Sequence, residues 1–260
     1  ESSSKDWKKA GFSDIPRAAW FGWDSFMALC DKNKTQNGVA YPREESVERL
    51  RRFPILFLDG GDWMDAATQR KLVAYVENGG VLVMTSRVPD AGEFFEPCTI
   101  LKDILFPCSA KPVAGEAFSF TVDGGFKGSG RGELLAFSNL GNNTTPIATA
   151  VAGRQNVPCG VMSSIGKGKA ILIGFSPWQT ELGEWGGTGL VEHLAQRFAN
   201  VTRLATVAPK TVDPLVEVAD FRCDARQRRY IYVLTRNNRP RDYTIALPER
   251  SDGTASFAIQ

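Results

Sequence analysis

The amino-acid sequence predicts an α/β fold: a parallel sheet with helices on both faces, an antiparallel β stretch set into it, and a β-only tail. Three observations predict it. Pro54-Ile-Leu-Phe-Leu-Asp59 is an apolar run of strand length. Lys71-Leu-Val-Ala-Tyr-Val-Glu-Asn78 carries apolar residues at helical spacing and runs into Gly79-Gly80. Val81-Leu-Val-Met-Thr85, β-branched and apolar, follows at once. A strand, a helix and a second strand in that order make the crossover unit of a parallel sheet, whose strands read as unbroken apolar runs because both faces are covered. Open sheets of this kind place ligands and chemistry at the carboxyl ends of their strands.

The elements follow in order. Trp23–Cys30 has helical spacing, Gly38–Tyr41 suits a short strand, and Glu44–Arg52 reads as a helix with acids early and bases late, which suits the helix dipole. Asp65 is placed to cap the next helix, Leu72, Tyr75 and Val76 share its buried face, and Gly79 suits the left-handed residue that ends it. Thr99–Phe106 is a short amphipathic helix. Between Pro112 and Gly168 glycines are frequent and apolar runs short. Phe118–Val122, Glu133–Phe137 and Ile147–Val151 read there as strands of an antiparallel insertion at about residues 110–165. Gly160–Gly174 reads as a hairpin turning at Gly166-Lys-Gly168, whose second strand rejoins the parallel sheet. Leu190–Asn200 is the closing helix. Beyond Ala205, Leu215–Val218, Tyr230–Leu234 and Tyr243–Leu247 have hairpin spacing, punctuated by Asn237, Asn238 and Pro240. The expected domains are residues 1–205 and 206–260, the second an incomplete β-sandwich. The opening Glu1-Ser-Ser-Ser-Lys5 and an end inside an expected strand suggest a piece of a longer polypeptide.

Composition narrows the function. With 43% hydrophobic residues the 260-residue chain can pack a core. A net charge of +2 with no long basic run argues against a nucleic-acid partner, and Arg226-Gln-Arg-Arg229 reads as a solvated turn. No apolar stretch reaches membrane-spanning length, so no membrane partner is expected. The five cysteines form no CxxC pair, which argues against a zinc cluster; Cys98 and Cys108 could approach one another, but mostly free thiols are expected, and the redox compartment stays open. No cofactor is expected. Asn-x-Thr triplets begin at Asn33, Asn142, Asn143 and Asn200.

The order of elements, carried by Pro54–Asp59, Leu72–Val83 and Gly166–Gly174, resembles the flavodoxin-like, class I glutamine amidotransferase-like domain of β-galactosidases of glycoside hydrolase family 42 and their relatives, where it is the trimerisation domain. The tail from Val216 to Pro248 resembles the small β domain that follows it. The resemblance implies a multidomain carbohydrate-active parent, in which a separate (β/α)₈ barrel upstream carries two catalytic glutamates. A barrel of about 250 residues cannot fit beside the elements read here. Self-association, or packing on such a barrel, is the implied partnership.

The residues argue against amide chemistry. An amidotransferase needs a Cys on a sharp, glycine-flanked turn after a central strand, so that a strained elbow exposes the thiolate to a nearby base. The corresponding stretch here is Val83-Met-Thr-Ser-Arg-Val-Pro89, with Ser86 the nearest substitute. Where the family has a His and a Glu after a later strand, this chain has Phe175-Ser-Pro-Trp178, so Ser176 replaces the base and Trp178 its orienting acid. The sole histidine, His193, lies in the closing helix and reads as a helix-surface residue. Glycoside hydrolysis needs two carboxyl groups across a sugar; Asp59 and Asp62 occupy a strand end but suit turn formation beside glycine, and Asp65 suits a cap. With Asp65 they could offer oxygen ligands to calcium or magnesium, but no metal-loop motif is present. Gly124–Gly132 is glycine-rich but lies between β segments, so it reads as a flexible hairpin loop and not a phosphate cradle. Trp20, Trp23, Trp63, Trp178 and Trp185 fall near strand ends and loops. Trp63 and Trp178 follow sheet strands on the ligand side and are the candidates for stacking on a carbohydrate ligand. The expected function is a non-catalytic accessory or oligomerisation module of a larger glycoside hydrolase. The alternatives are a carbohydrate-binding module using these tryptophans and a hydrolase built on Ser86 or Asp59 and Asp62.

Overall fold

A computed structural model describes residues 40–59, 61–115, 117–177 and 187–199, together with the backbone of strands between 206 and 259. These fall into two compact units, 40–199 and 206–259. The first unit runs α1 (Val47–Leu50), β1 (Ile55–Asp59), α2 (Ala66–Glu77), β2 (Val81–Thr85), α3 (Ile100–Leu105), β3 (Ser109–Pro112), β4 (Ala117–Val122), β5 (Phe126–Arg131), β6 (Leu135–Ser138), β7 (Thr144–Ala152), β8 (Gln155–Ile165), β9 (Gly168–Ile173) and α4 (Gly187–Ala199).

The strand–helix–strand unit forms as its residues dictate. The Asp65 carboxylate accepts the Thr68 N–H at 2.8 Å and opens α2. Gly79, at φ +108°, closes it in a conformation that L side chains rarely adopt. β1 and β2 pair in parallel with Ile55 opposite Val81, and β2 pairs in parallel with β9 with Val81 opposite Lys169. Alternation sends side chains to two cores. Ile55, Phe57, Val81, Val83, Ile171 and Ile173 pack with Leu190, Leu194 and Phe198 of α4. Leu56, Leu58, Leu82, Met84, Ala170 and Leu172 pack with Leu72, Val73 and Val76 of α2 and Leu101 and Leu105 of α3. Helices therefore lie on both faces.

The sheet is mixed, which corrects the parallel sheet expected. Its order among the described residues is β1-β2-β9-β8-β7-β4-β5, with every pairing from β9 onward antiparallel. The segment expected as an insertion is the continuation of the same sheet. The cause is the β8–β9 hairpin: β9 is parallel to β2 on one side and antiparallel to β8 on the other. That hairpin presses on α2, and a Cβ at Gly168 would land on the carbonyl oxygens of Val76 and Gly80. Register shifts near Ile147 and Cys159 change which side chains meet which core. Val157 and Cys159 belong with α4, whereas Val161, which simple alternation would send the same way, belongs with α2.

Three local expectations are also corrected. The glycine-rich stretch taken for a loop contains strand β5, and a Cβ at Gly130 would strike the Phe118 ring, so glycine serves packing there. The helix expected over Glu44–Arg52 shrinks to α1, because Glu44 and Glu45 donate to the Tyr41 carbonyl in a turn. Lys71 Nζ donates to the carbonyls of Pro42, Arg43 and Glu45 at 3.1, 2.6 and 3.1 Å, satisfying groups a helix would otherwise use. Glu133–Phe137 supplies β6, which pairs with β3 in a separate ribbon. Ala40 and Tyr41 are not in a strand, and the elements expected before them lie outside the described residues.

In the second unit, β11 (Val216–Cys223) and β12 (Arg228–Thr235) form an antiparallel hairpin. β13 (Arg241–Ala246) does not extend it; it pairs with β10 (Thr206–Ala208) and β14 (Thr254–Ile259).

Candidate functional site

The loops leaving β1 and β2 hold most of the described residues that the sequence singled out. β2 ends on Thr85, and Ser86 follows at φ +62°, a left-handed conformation for a residue with a side chain. The turn is tight: Ser86 N–H donates to the Ile173 carbonyl at 2.8 Å, and Arg87 N–H donates back to the Thr85 carbonyl at 2.7 Å. Holding such a conformation costs on the order of 1–3 kcal/mol and needs support from its surroundings. The backbone is that of an elbow. The chemistry of a nucleophile is not assembled around it, since among the described residues no side chain pairs with the Ser86 hydroxyl. Ser176, after β9, is buried.

His193 is occupied elsewhere. Its Nε2 lies 2.6 Å from the Asp123 carbonyl, and its ring stacks on Phe126 at 5.4 Å between centroids. It lies in α4, as expected, half-buried against the β4–β5 turn. β4 lies four strands from β2 in the sheet, about 19 Å at the usual strand spacing.

The acidic trio does not converge. The Asp65 carboxylate is used by Thr68, accepting from its N–H and, at 2.6 Å, from its hydroxyl; these bonds hold the carboxyl below its ordinary titration range. Asp59 is the last residue of β1, with its backbone opposite Thr85. Asp62 forms a different cluster. Its Oδ1 accepts from Arg87 at 3.2 Å, and Arg87 also reaches Glu133 at 3.4 Å. Burial opposes the charge on Arg87, but the two carboxylates outweigh it and raise the guanidinium above its ordinary range. Asp62 Oδ2 is buried without a partner. An acid catalyst must bring a proton to the leaving oxygen, whereas these two carboxylates accept from one guanidinium that stands between them. Among the described residues no group of three or more His, Cys, Asp or Glu is arranged to hold a metal ion, and no helix is long and apolar enough to cross a membrane.

Trp63 is 40% exposed and bridges to Ala91. Trp178 lies outside the described residues, as do Trp20, Trp23 and Trp185. Cys98, Cys108 and Cys159 are free thiols, and burial pushes Cys159 up to about 12. Arg87 and Glu133 were missed from sequence. Their contacts span 25 and 46 residues, and no local spacing rule reaches that far.

The described residues define a mixed α/β sheet whose strand-end loops hold a sharp turn at Ser86, with no base paired to it among the described residues. The family of GLMA-like second domains matches residues 42–123. The chain is 27% identical over 131 residues to a β-1,2-glucosyltransferase of Ignavibacterium album, a match covering 50% of this chain and 17% of that protein. It is 29% identical over 85 residues to an exo-β-D-glucosaminidase of Pyrococcus horikoshii, covering 33% of this chain and 11% of the enzyme. Among solved structures, Gan42B, a family 42 β-galactosidase of G. stearothermophilus, superposes in the form of a catalytic mutant with a TM-score of 0.64 at 14% identity, over 95% of this chain and 35% of its own. The chain thus has a fold found within a β-galactosidase, and it spans under a fifth of the two sequence relatives and about a third of that structure.

Proposed function

We propose that this chain is a non-catalytic accessory module of a larger, β-galactosidase-like glycoside-active protein, built on an amidotransferase-like scaffold whose reactive groups are gone. The observation that carries the reading is the Ser86 elbow. It keeps a strained strand-end turn, while the only histidine is committed to Asp123 and Phe126. The relatives support it, because each is a carbohydrate-active protein of which this chain matches a minor part. Its contribution to the parent is to hold copies together, in the manner of a trimerisation domain, and to wall a neighbouring sugar site.

The test has two arms. The 260-residue chain, incubated with aryl β-galactoside, β-glucoside and β-glucosaminide, is expected to release no phenol and to take no label from 2-fluoroglycoside inactivators. Turnover lost in Ser86→Ala or Asp62→Asn would overturn the reading. Removing the segment from the full-length parent is expected to lower its native mass, and an unchanged mass would remove the assembly role. A second reading, carbohydrate binding, is favoured by the exposure of Trp63 beside the Asp62 and Arg87 pair.

A further inference from the structure

The turn that ends α2 holds a chemically labile pair. Gly79 stands at φ +108°, so the stop of this helix calls for glycine, and the residue before it is Asn78. In an Asn-Gly pair the glycine brings no side chain to hinder its backbone nitrogen. That nitrogen can close a five-membered imide ring on the asparagine amide more readily than the nitrogen of any bulkier residue. The need for glycine at the helix end therefore creates a site of spontaneous deamidation. Asn78 and Gly79 are both exposed, so water and hydroxide reach them.

The folded turn withholds both reactants. Asn78 Nδ2 donates to the Ala74 carbonyl at 2.8 Å, which folds the side-chain amide back along the helix. Gly79 N–H donates to the Val76 carbonyl at 2.9 Å, so the attacking nitrogen keeps its proton in a hydrogen bond that hydroxide would have to displace. The backbone adds a third obstacle. The ring needs the Gly79 nitrogen and the Asn78 Cβ nearly eclipsed about the Cα–C bond, and at ψ 9° they stand far apart. Gly80 N–H donates to the Tyr75 carbonyl at 3.1 Å, and Lys167 N–H, from the β8–β9 turn, donates to the Glu77 carbonyl at 3.0 Å. With the turn held at these points, the reaction waits on fraying of the last turn of α2.

We propose that Asn78-Gly79 is a deamidation site, closed in the folded chain and opened by fraying of the end of α2, and that its products keep the α2–β2 junction from re-forming as it was. In the opened turn hydroxide takes the Gly79 amide proton, and the nitrogen lone pair forms a bond to Asn78 Cγ. The Cγ–Nδ2 bond breaks, and Nδ2 leaves as ammonia with a proton from water. Water then adds to one of the two imide carbonyls and reopens the ring, leaving aspartate or isoaspartate at this position. Nothing is oxidised or reduced. Aspartate has lost the donor to Ala74 and sets a negative charge among the last carbonyls of α2, where the helix dipole opposes it. Isoaspartate also lengthens the main chain by a methylene group. The chain that follows has no slack to absorb it: a Cβ at Gly80 would strike the Tyr75 ring, and Val81 is in register with Ile55 and Lys169.

The experiment incubates the 260-residue chain at mildly alkaline pH, without denaturant and across a urea series, and follows residue 78 by peptide mapping. The readout is the mass gained when NH is exchanged for O, with aspartyl and isoaspartyl peptides separated by chromatography. Asn37-Gly38, the other Asn-Gly pair of the sequence, reports the unhindered rate in strong urea. There Asn78 is expected to react as fast as Asn37. Without denaturant Asn78 is expected to react at least about tenfold more slowly than in strong urea, since only the frayed fraction is open. Between these limits its rate should rise in step with hydrogen exchange of the Gly79 amide, because one opening frees both. Asn78→Asp, which copies one product, is expected to melt below the parent. An Asn78 that reacts without denaturant as fast as in urea overturns the proposal, as does one that stays intact in urea while Asn37 converts. A rate that does not follow Gly79 exchange overturns the opening by fraying. An Asn78→Asp chain that melts with the parent overturns the claim about the products.

Discussion

The two halves of the seven-stranded sheet obey different rules, and the difference locates the candidate site. In the half made by β1, β2 and β9, strands run parallel and are covered on both faces; every residue of β2 is buried. In the half made by β8, β7, β4 and β5, strands run antiparallel, and β4 alternates exposed and buried residues along its length. The parallel half sends its connections out at strand ends, and those loops carry Asp62, Trp63, Ser86 and Arg87. In the antiparallel half tight turns join β4 to β5, β7 to β8 and β8 to β9, and the longer connection from β5 to β7, which carries β6, lends Glu133 to Arg87.

The contrast is broken most directly by alanine scanning. Along Val81–Thr85 substitutions should destabilise at every position, with Leu82→Ala losing about 3–5 kcal/mol in chemical denaturation. Along β4 the loss should alternate, with Phe120→Ala costing about 3–5 kcal/mol and exposed Thr121→Ala under about 0.5. An alternating pattern in β2 would show that one of its faces is not covered.

The junction of the halves comes next. Gly168→Ala should cost about 1–3 kcal/mol or more, because its Cβ meets backbone oxygens of α2 and the following turn, which cannot swing aside as a side chain can. A melting temperature equal to the parent's would show that β9 does not press on α2 as described.

Asp65→Ala should cost about 1 kcal/mol through the lost cap of α2. The sign of its pH dependence follows from the depressed carboxyl: the unfolded chain takes up this proton at higher pH than the folded one. The cap's contribution is therefore complete above the unfolded carboxyl's range and is lost as pH falls through the folded value. The gap between parent and variant in urea titrations should close on acidification; a gap that widens would contradict the assignment.

The smallest effect concerns thiols. Brief alkylation of the native protein followed by peptide mapping should modify Cys108 ahead of Cys159, since Cys159 is fully buried in the antiparallel half and burial raises its thiol to about 12, while Cys108 is half-buried. Equal labelling would mean that β7 and β8 open readily.

Legibility followed the range of the interactions. Strand β1, helix α2 and strand β2 were readable because propensity, cap and periodicity all act within a few residues, from Asp65 to Gly79. The β8–β9 hairpin was readable from Gly166 and Gly168. The continuity of the sheet was not, because β7 meets β4 through pairings such as Ser119 with Val151, which leave no local pattern. β5 was hidden because Gly128 and Gly130, residues that usually mark loops, are needed where Phe118 and Phe120 pack. Within the site, Ser86 and Trp63 were visible as residue types at strand ends. The Arg87 clamp was not, because both carboxylates arrive from distant segments. Phe94 and Phe95 leave no local signal, because an apolar pair reads as core and its exposure is set by the tertiary fold.

The pairing of β2 with β9 has a consequence for synthesis. Val81 finds Lys169 across more than eighty residues of intervening chain. A ribosome that has delivered β2 must therefore make the whole antiparallel wing before that strand gains its second neighbour. Until then Val81–Thr85 is a bare edge, apolar at four of its five positions, the kind of surface on which nascent chains stick to one another. Truncations ending between Ala152 and Gly168 should accumulate as inclusion bodies, and those reaching past Ala199, which restore both β9 and α4, should recover in the supernatant.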